Sequence, residues 1–323
     1  MMIALLSPDG RPPVAGPGNH GGRPNAEGYE GERVSEDSRQ RETETGSVET
    51  RHAMGLTARE LAKRDDFDLE YRYGQRPVMQ AVERAVCGCD YGSTAWTTRD
   101  EADWIAGALE LAPGLGLLEI GAGSGWPALY LARKSGCDVT LTDLPHGGLR
   151  SAAERAARDG LSDTCLTLAA DAARLAFRDE GFDVINHSDV LCCLVEKRNV
   201  LAECRRVIRP GGRMAFSVLY IPSGLSPEDH ARALETAPEF VESDMDYPAL
   251  LAETGWAILE RRDLTGAFME SCRQRLRIED ELHAEIRPLV GAADFDVRQT
   301  RLRRRLPVLE RGHLRRDLFV VRR

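Results

Sequence analysis

A doubly wound α/β domain on a mainly parallel sheet is the fold this sequence predicts. Three observations carry it. Between residues 116 and 220, short apolar runs alternate with helix-length amphipathic stretches, the order that gives parallel strands with helices on both faces. A glycine-rich turn, Gly121-Ala122-Gly123-Ser124-Gly125, joins the first run to the first of these helices. An acidic residue, Asp143, closes the second run, where such sheets hold a ribose.

Taken in order, residues 1–53 are rich in Gly, Pro, Ser, Glu and Arg and nearly lack large apolar side chains. They bury too little surface to offset their ordering entropy and are expected to form a disordered tail. Met54 then opens a segment in which Thr57 and Glu60 have capping-box spacing. It is expected to be the natural start, with the preceding tail as upstream read-through. Residues 54–112 predict an N-terminal helical cap, broken between Cys87 and Thr97 by Gly88, Gly92 and Ser93. A helix from Thr98 carries apolar residues at 102, 105, 108, 109 and 112 and is stopped by Pro113-Gly114.

The sheet domain is assigned to 113–323. Its strands are predicted at Gly116–Ile120, Asp138–Thr142, Cys165–Ala169, Phe182–Asn186 and Arg213–Tyr220. Helices are predicted from Trp126 to about Ser135, with Pro127 in the first turn, at 147–159 before Gly160, and at about 194–208 before Pro210-Gly211-Gly212. The polar stretch at about 221–246 reads as a lid. Leu250–Gly255 ends a helix and Trp256–Leu264 reads as a strand. Helices inserted at 266–312 precede a last strand, Leu318–Val321, making seven strands in all.

Composition narrows the function. The chain has 323 residues, 42% hydrophobic and 29% charged, with a net charge of -9, so it lacks the basic footprint of a nucleic-acid binder. Apolar runs such as Met214–Pro222 are too short to span a bilayer, and Met1–Leu6 lacks the basic flank of a signal peptide. Cysteines at 87, 89, 137, 165, 192, 193, 204 and 272, several inside apolar segments, suit buried free thiols in a reducing, cytoplasmic setting. Cys87-Gly-Cys89 has no second pair to complete a zinc site, so no metal is expected. The Arg-rich stretch 298–305 reads as a solvated helix face, because no wider basic patch accompanies it.

Three features bear on the ligand of the glycine turn. Counted from Gly121, the third glycine of a dinucleotide fingerprint is replaced by bulky Trp126. Glu119 ends the first strand, and its carboxylate would repel a diphosphate. Asp143 can accept hydrogen bonds from ribose hydroxyls, which fits any adenosine-type ligand.

These residues resemble the class I S-adenosylmethionine (SAM)-dependent methyltransferases. The turn, Asp143, Asp171 after the third strand, Ser188-Asp189 after the fourth and Arg209-Pro210-Gly211-Gly212 before the fifth lie in that family's order. The match covers roughly residues 98–220 and is specific as a set. The resemblance implies a Rossmann-like seven-stranded fold and SAM as cofactor. It implies that Glu119, Gly121, Ala122, Gly123, Gly125 and Trp126 face the methionine part. Asp143 and Leu144 would meet the ribose, Asp171 and Ala172 the adenine, and Asn186 to Ser188 would offer backbone near the amino group.

Several residues keep two readings. Asp171 is an adenine contact or a turn aspartate. His187 is a general base or a hydrogen-bonded strand-end histidine. Asp189 steers a cationic substrate or caps the next helix. Tyr91, Trp96 and Thr97 roof the sulfonium and substrate or pack against the sheet. Cys192 and Cys193 read as core thiols.

Ser188-Asp189-Val190-Leu191-Cys192 is similar to small-molecule methyltransferases of the sarcosine and phosphoethanolamine type. No Asn-Pro-Pro-Tyr motif for flipped bases follows the fourth strand. The expected function is transfer of a methyl group from SAM to a nitrogen or oxygen atom of a small molecule. The alternatives are a non-catalytic SAM-binding protein and an NAD(P)-dependent oxidoreductase with an atypical turn.

Overall fold

Thr57 and Thr98 each accept the amide of the residue three positions on, and Glu60 and Glu101 return a bond to the threonine amide. These reciprocal caps satisfy donors that a helix start leaves without partners. They begin α1 (Ala58–Gly74) and α3 (Arg99–Ala108), with α2 (Pro77–Cys87) between them. The computed structural model describes residues 55–323. The expected disordered tail and the expected start at Met54 lie outside the described residues.

The strands are β1 (Gly116–Ile120), β2 (Asp138–Asp143), β3 (Cys165–Ala169), β4 (Phe182–Ser188), β5 (Ile208–Tyr220), β6 (Ala257–Asp263) and β7 (Arg315–Arg322). They form one seven-stranded sheet in the order β3-β2-β1-β4-β5-β7-β6. β1 to β5 pair in parallel, and β7 runs antiparallel between β5 and β6. The order reverses between β1 and β4, which opens a crevice at the carboxyl ends of those strands.

Eight helices accompany the sheet: α4 (Ala128–Ser135), α5 (His146–Arg158), α6 (Lys197–Val207), α7 (Pro227–Leu234), α8 (Tyr247–Glu253), α9 (Thr265–Glu281), α10 (His283–Val290) and α11 (Ala292–Glu310). Neighbouring strand residues enter opposite cores. Leu117, Val139, Leu141 and Val184 pack with α2 to α5, while Leu118, Ile120, Ile185 and Phe216 pack with α6, α8, α9 and α11. Burial on both faces explains why the strands read as unbroken apolar runs.

The elements depart from expectation at their ends. α3 stops at Ala108, because Glu110 takes a left-handed φ of 54° that a helix cannot continue through. A 3₁₀ turn, Leu191–Cys193, precedes α6, which therefore starts at Lys197. β5 begins at Ile208, and the Arg209-Pro210-Gly211-Gly212 turn is an irregularity within its span, between the Phe182–Ile208 and Val184–Arg213 pairs. The stretch expected to be a lid holds α7, and α9 to α11 fill the insertion before β7. Among the described residues no helix is long and apolar enough to cross a membrane.

Among the described residues the largest fully buried side chain is Arg316, on β7. Its Nε donates to both Asp189 oxygens at 3.0 and 3.1 Å, Nη1 to both Glu101 oxygens at 2.9 and 3.0 Å, and Nη2 to Ser217 Oγ at 3.2 Å. One cation thus joins α3, the end of β4, β5 and β7. Removing one member of such a network strands the others in low dielectric. Arg316→Met is expected to cost about 3–5 kcal/mol in chemical denaturation. A loss below about 1 kcal/mol would mean that Asp189 and Glu101 do not depend on it.

Candidate functional site

A cavity of about 350 Å³ occupies the crevice where the strand order reverses. Its floor is the turn after β1, with Gly121, Ala122, Gly123 and Trp126 in the wall. Asp143 and Leu144 after β2, Asp171 after β3 and Ser188 and Asp189 after β4 line it as well. Its size is at the lower end of small-molecule sites, roughly 300–1,000 Å³.

α1 lies directly on the turn. Gly123 has φ 49°, and a Cβ there would stand 2.7 Å from the Tyr71 ring. On the other side, a Cβ on Gly148 of α5 would stand 2.9 Å from the Gly123 carbonyl carbon. Only glycine permits both approaches. Asp68 of α1 also accepts the Gly147 amide at 2.6 Å, which pins α1 to the first turn of α5.

Asp143 is the polar centre of this packing. Its Oδ2 accepts the Gly123 amide at 2.8 Å and the Tyr71 hydroxyl at 3.3 Å, and its Oδ1 accepts the Leu144 amide at 2.8 Å. Burial nevertheless raises its pKa to about 6, against the pull of those donors. Asp171 accepts the Ala173 amide at 2.9 Å and pairs with Arg174, so it is a turn aspartate that also faces the cavity. Ser188 Oγ is buried with no partner.

Other expected residues lie elsewhere. Glu119 is buried beside the cavity and takes two bonds from Asn186 Nδ2, at 3.0 and 2.8 Å; burial raises its pKa to about 8. Gly125 sits beneath Leu129 and Ala152, and Ala172 packs in the core. Tyr91 packs between Trp126, 5.2 Å away, and the Arg155 guanidinium, 4.2 Å away, whereas Trp96 does line the cavity.

Three expectations need correction. His187 does not line the cavity. It is fully buried, stacked on Phe216 at 4.8 Å, with both ring nitrogens unpartnered, and burial lowers its pKa to about 3. A neutral imidazole sealed in a core has no path to a substrate proton. Asp189 reaches the cavity wall, but Arg316 holds its carboxylate, so it neither steers a cation nor caps a helix. The Arg-rich stretch is not one solvated face. Arg303 and Arg304 are exposed, while Arg298 pairs with Glu70 and Arg301 and Arg305 line the cavity.

The α1 wall escaped the sequence reading. Leu56 precedes it, and Glu60, Lys63, Arg64, Phe67 and Tyr71 line the cavity at steps of one, three and four residues. That stripe is the pattern of one helix face, and it was the available signal. A second cavity, about 490 Å³, lies past the end of β5 beside Tyr220, Tyr247, Arg261 and Arg315, away from the glycine turn.

Comparison with known proteins agrees with this geometry. The family described as "Methyltransferase domain" matches residues 118–216. Methyltransferase GfsG of Streptomyces halstedii is 33% identical over 164 residues, 49% of this chain and 58% of that protein, so the chain spans less than two thirds of it. The 27-O-demethylrifamycin SV methyltransferase of Amycolatopsis mediterranei is 29% identical over 205 residues, 62% of this chain and 75% of the relative. A demethylmenaquinone methyltransferase of Beutenbergia cavernae is 33% identical over 192 residues, 52% of this chain and 76% of the relative. In fold, the chain resembles a Haemonchus contortus phosphoethanolamine N-methyltransferase 2 solved with SAM. The TM-score is 0.66 at 17% identity, over 81% of this chain and 60% of that one.

The burial of His187 makes a prediction with a definite sign. Its pKa falls from 6.5 to about 3, so its contribution to stability is present above pH 6.5 and is lost as the pH falls towards 3. His187→Leu is expected to flatten the acid limb of the melting profile in that window. Turnover should drop far less than the roughly 100-fold that loss of a general base costs. A drop of that size in a variant that still folds would restore the base reading.

Proposed function

The chain belongs to the class I SAM-dependent methyltransferases, and from that premise we propose that it methylates a nitrogen or oxygen atom of a small molecule held in this cavity. The observation that carries the reading is Asp143, held towards the cavity by two backbone amides beside a glycine turn with no basic residue from 119 to 126. With Asp171 at the end of β3, this end of the cavity suits a ribose and an adenine and opposes a diphosphate.

The residues fit SAM. Asp143 would accept the ribose hydroxyls, alongside Leu144, and Asp171 would reach the adenine. The backbone of the turn at Gly121 to Gly123 and the unpartnered Ser188 Oγ would meet the methionine end. When bound, SAM supplies a methyl group on a sulfonium, an electrophile that needs no further activation.

The remaining work falls to the chain itself: aligning the nucleophile, excluding water and accepting a proton where one is released. Helix α1 would serve the second task, with the helical segment 54–112 as a cap on the domain 113–323. Trp96 gives the acceptor an apolar surface. Among the described residues no imidazole lines the cavity, so a released proton would pass to a wall carboxylate or to solvent. By their names, one relative acts at an oxygen and one structural neighbour at a nitrogen, which supports leaving both atoms in the proposal.

Calorimetry with SAM, S-adenosylhomocysteine (SAH) and NADH tests this reading. SAM and SAH are expected to bind and NADH not. Asp143→Ala should weaken SAM by at least about tenfold, or roughly 1.4 kcal/mol. The bound ribose favours the ionised carboxylate, whose pKa is about 6 in the free protein. SAM affinity should therefore be steady above that pH and fall below it, by up to about tenfold per unit. Preferential binding of NADH would overturn the reading.

A further inference from the structure

Two arginines of the cavity wall are not accounted for by methyl transfer. Arg301 and Arg305 stand four residues apart on one face of α11, and both line the cavity. Arg305 is 8% exposed, and Arg301 is the more open of the two. Arg305 donates from Nε at 2.9 Å and Nη2 at 2.5 Å to the Thr236 carbonyl, and Arg301 donates from Nη2 to the Ala237 carbonyl. Those carbonyls lie just past the end of α7, so the bonds tie α11 to the segment that follows that helix. They do not neutralise two positive charges.

Neither arginine forms an ion pair with a carboxylate among the described residues. The carboxylates that share the cavity each have another partner, and Glu239 also favours the charge on Arg301. Arg174 takes Asp171 and Glu196, Arg316 takes Asp189, and Arg59 takes Glu239 at 3.1 Å. Glu60 closes the cap of α1 and Asp143 holds the glycine turn. Burial works against the charge on both arginines, yet a guanidinium does not escape by losing its proton. Glu239 eases the charge on Arg301, which is also open to solvent, whereas Arg305 is buried with no carboxylate beside it; such a cation is costly, and an anionic ligand would relieve it.

Of the two rings near Arg305, Trp96 lines the cavity and would meet the body of such a ligand, and Phe268 is buried behind it. The Arg305 guanidinium lies 5.9 Å from the centre of the Phe268 ring, and Trp96 packs edge-on against that ring at 4.9 Å. The second cation of the pair can join the first on one oxyanion, because guanidinium forks match carboxylate and phosphate geometry.

We propose that the methyl acceptor carries an anionic oxygen group, a carboxylate or a phosphate, bound by Arg301 and Arg305 at the α11 wall. The proposal rests on the methyltransferase reading for the word acceptor, while the anion site stands on the charge balance of the cavity.

The test uses the full chain saturated with SAH and titrated by calorimetry with benzoate, phenyl phosphate and the neutral isostere benzamide. The wild type is expected to bind at least one anion about tenfold or more tighter than benzamide. Preference for benzoate assigns a carboxylate, and preference for phenyl phosphate assigns a phosphate. Arg305→Met should abolish the preference and leave SAH affinity unchanged. Arg301→Gln, at a more open position that packing tolerates, should weaken it in the same direction. Benzamide binding as tightly as both anions, or a preference that survives in both variants, overturns the proposal. Failure of the wild type to bind SAH strikes the methyltransferase reading instead; the anion preference measured without SAH then decides the anion site alone.

Discussion

The architecture of the site depends on the buried guanidinium of Arg316. Asp189, whose carboxylate it holds, takes a left-handed φ of 56°, a conformation that aspartate tolerates better than most side chains. The turn it makes ends β4 and leaves Ser188 in the cavity wall. Glu101 does two jobs at once: it returns the capping bond to Thr98 and pairs with Arg316. The start of α3, the end of β4 and the antiparallel strand β7 are thus fixed relative to one another by a single residue. Burial pushes the Glu101 carboxyl pKa up, and the guanidinium opposes that shift. A network of one cation and two carboxylates is a costly way to gain stability. Here its effect is to fix the rim of the crevice in one arrangement.

The glycine-turn end of the cavity is built by close approach rather than by charge. Tyr71, Gly123 and Gly148 form a stack in which helix, turn and helix touch through backbone and ring, and Asp143 ties roof and floor through one oxygen. Asp68 repeats the link to α5. The position of α1 is therefore coupled to the glycine turn, and whatever occupies the ribose position meets a carboxylate that already has three donors. A ribose hydroxyl bound there would compete most directly with the Tyr71 hydroxyl, the longest of the three bonds at 3.3 Å.

Much of this was legible because it is local. Capping boxes, the glycine turn and the alternation of apolar runs depend on neighbours within a few residues, and the strand and helix positions follow from them. The family order of Asp143, Asp171 and Ser188-Asp189 depends on topology, which right-handed parallel connections constrain strongly. The errors have a common cause. His187 and Asp189 lie at a strand end where either a cavity or a core can receive a side chain, and the choice is made by Phe216 and Arg316, residues distant in sequence. The arginines of α11 were read by composition. Arg305 is buried and Arg301, itself open, lines the cavity beside it, while Arg303 and Arg304 face away; this follows the helical period, but which face turns inward depends on where α11 packs. The last strand was expected at Leu318–Val321 but begins at Arg315, so Arg316 lay outside the expected element.

The two ends of the cavity carry opposite character, and this suits the chemistry. Methyl transfer brings a cationic sulfonium and an electron-rich nucleophile together in a space from which water is excluded. Carboxylates at the ends of β2 and β3 would hold the cofactor by its neutral ribose and base while giving a potential that tolerates its positive charge. Guanidiniums on α11 would hold an oxyanion on the acceptor by a group that need not itself react. An oxyanion there would balance charge that the α11 wall leaves without a carboxylate at Arg305. Binding energy from the parts that do not react is available to align the parts that do.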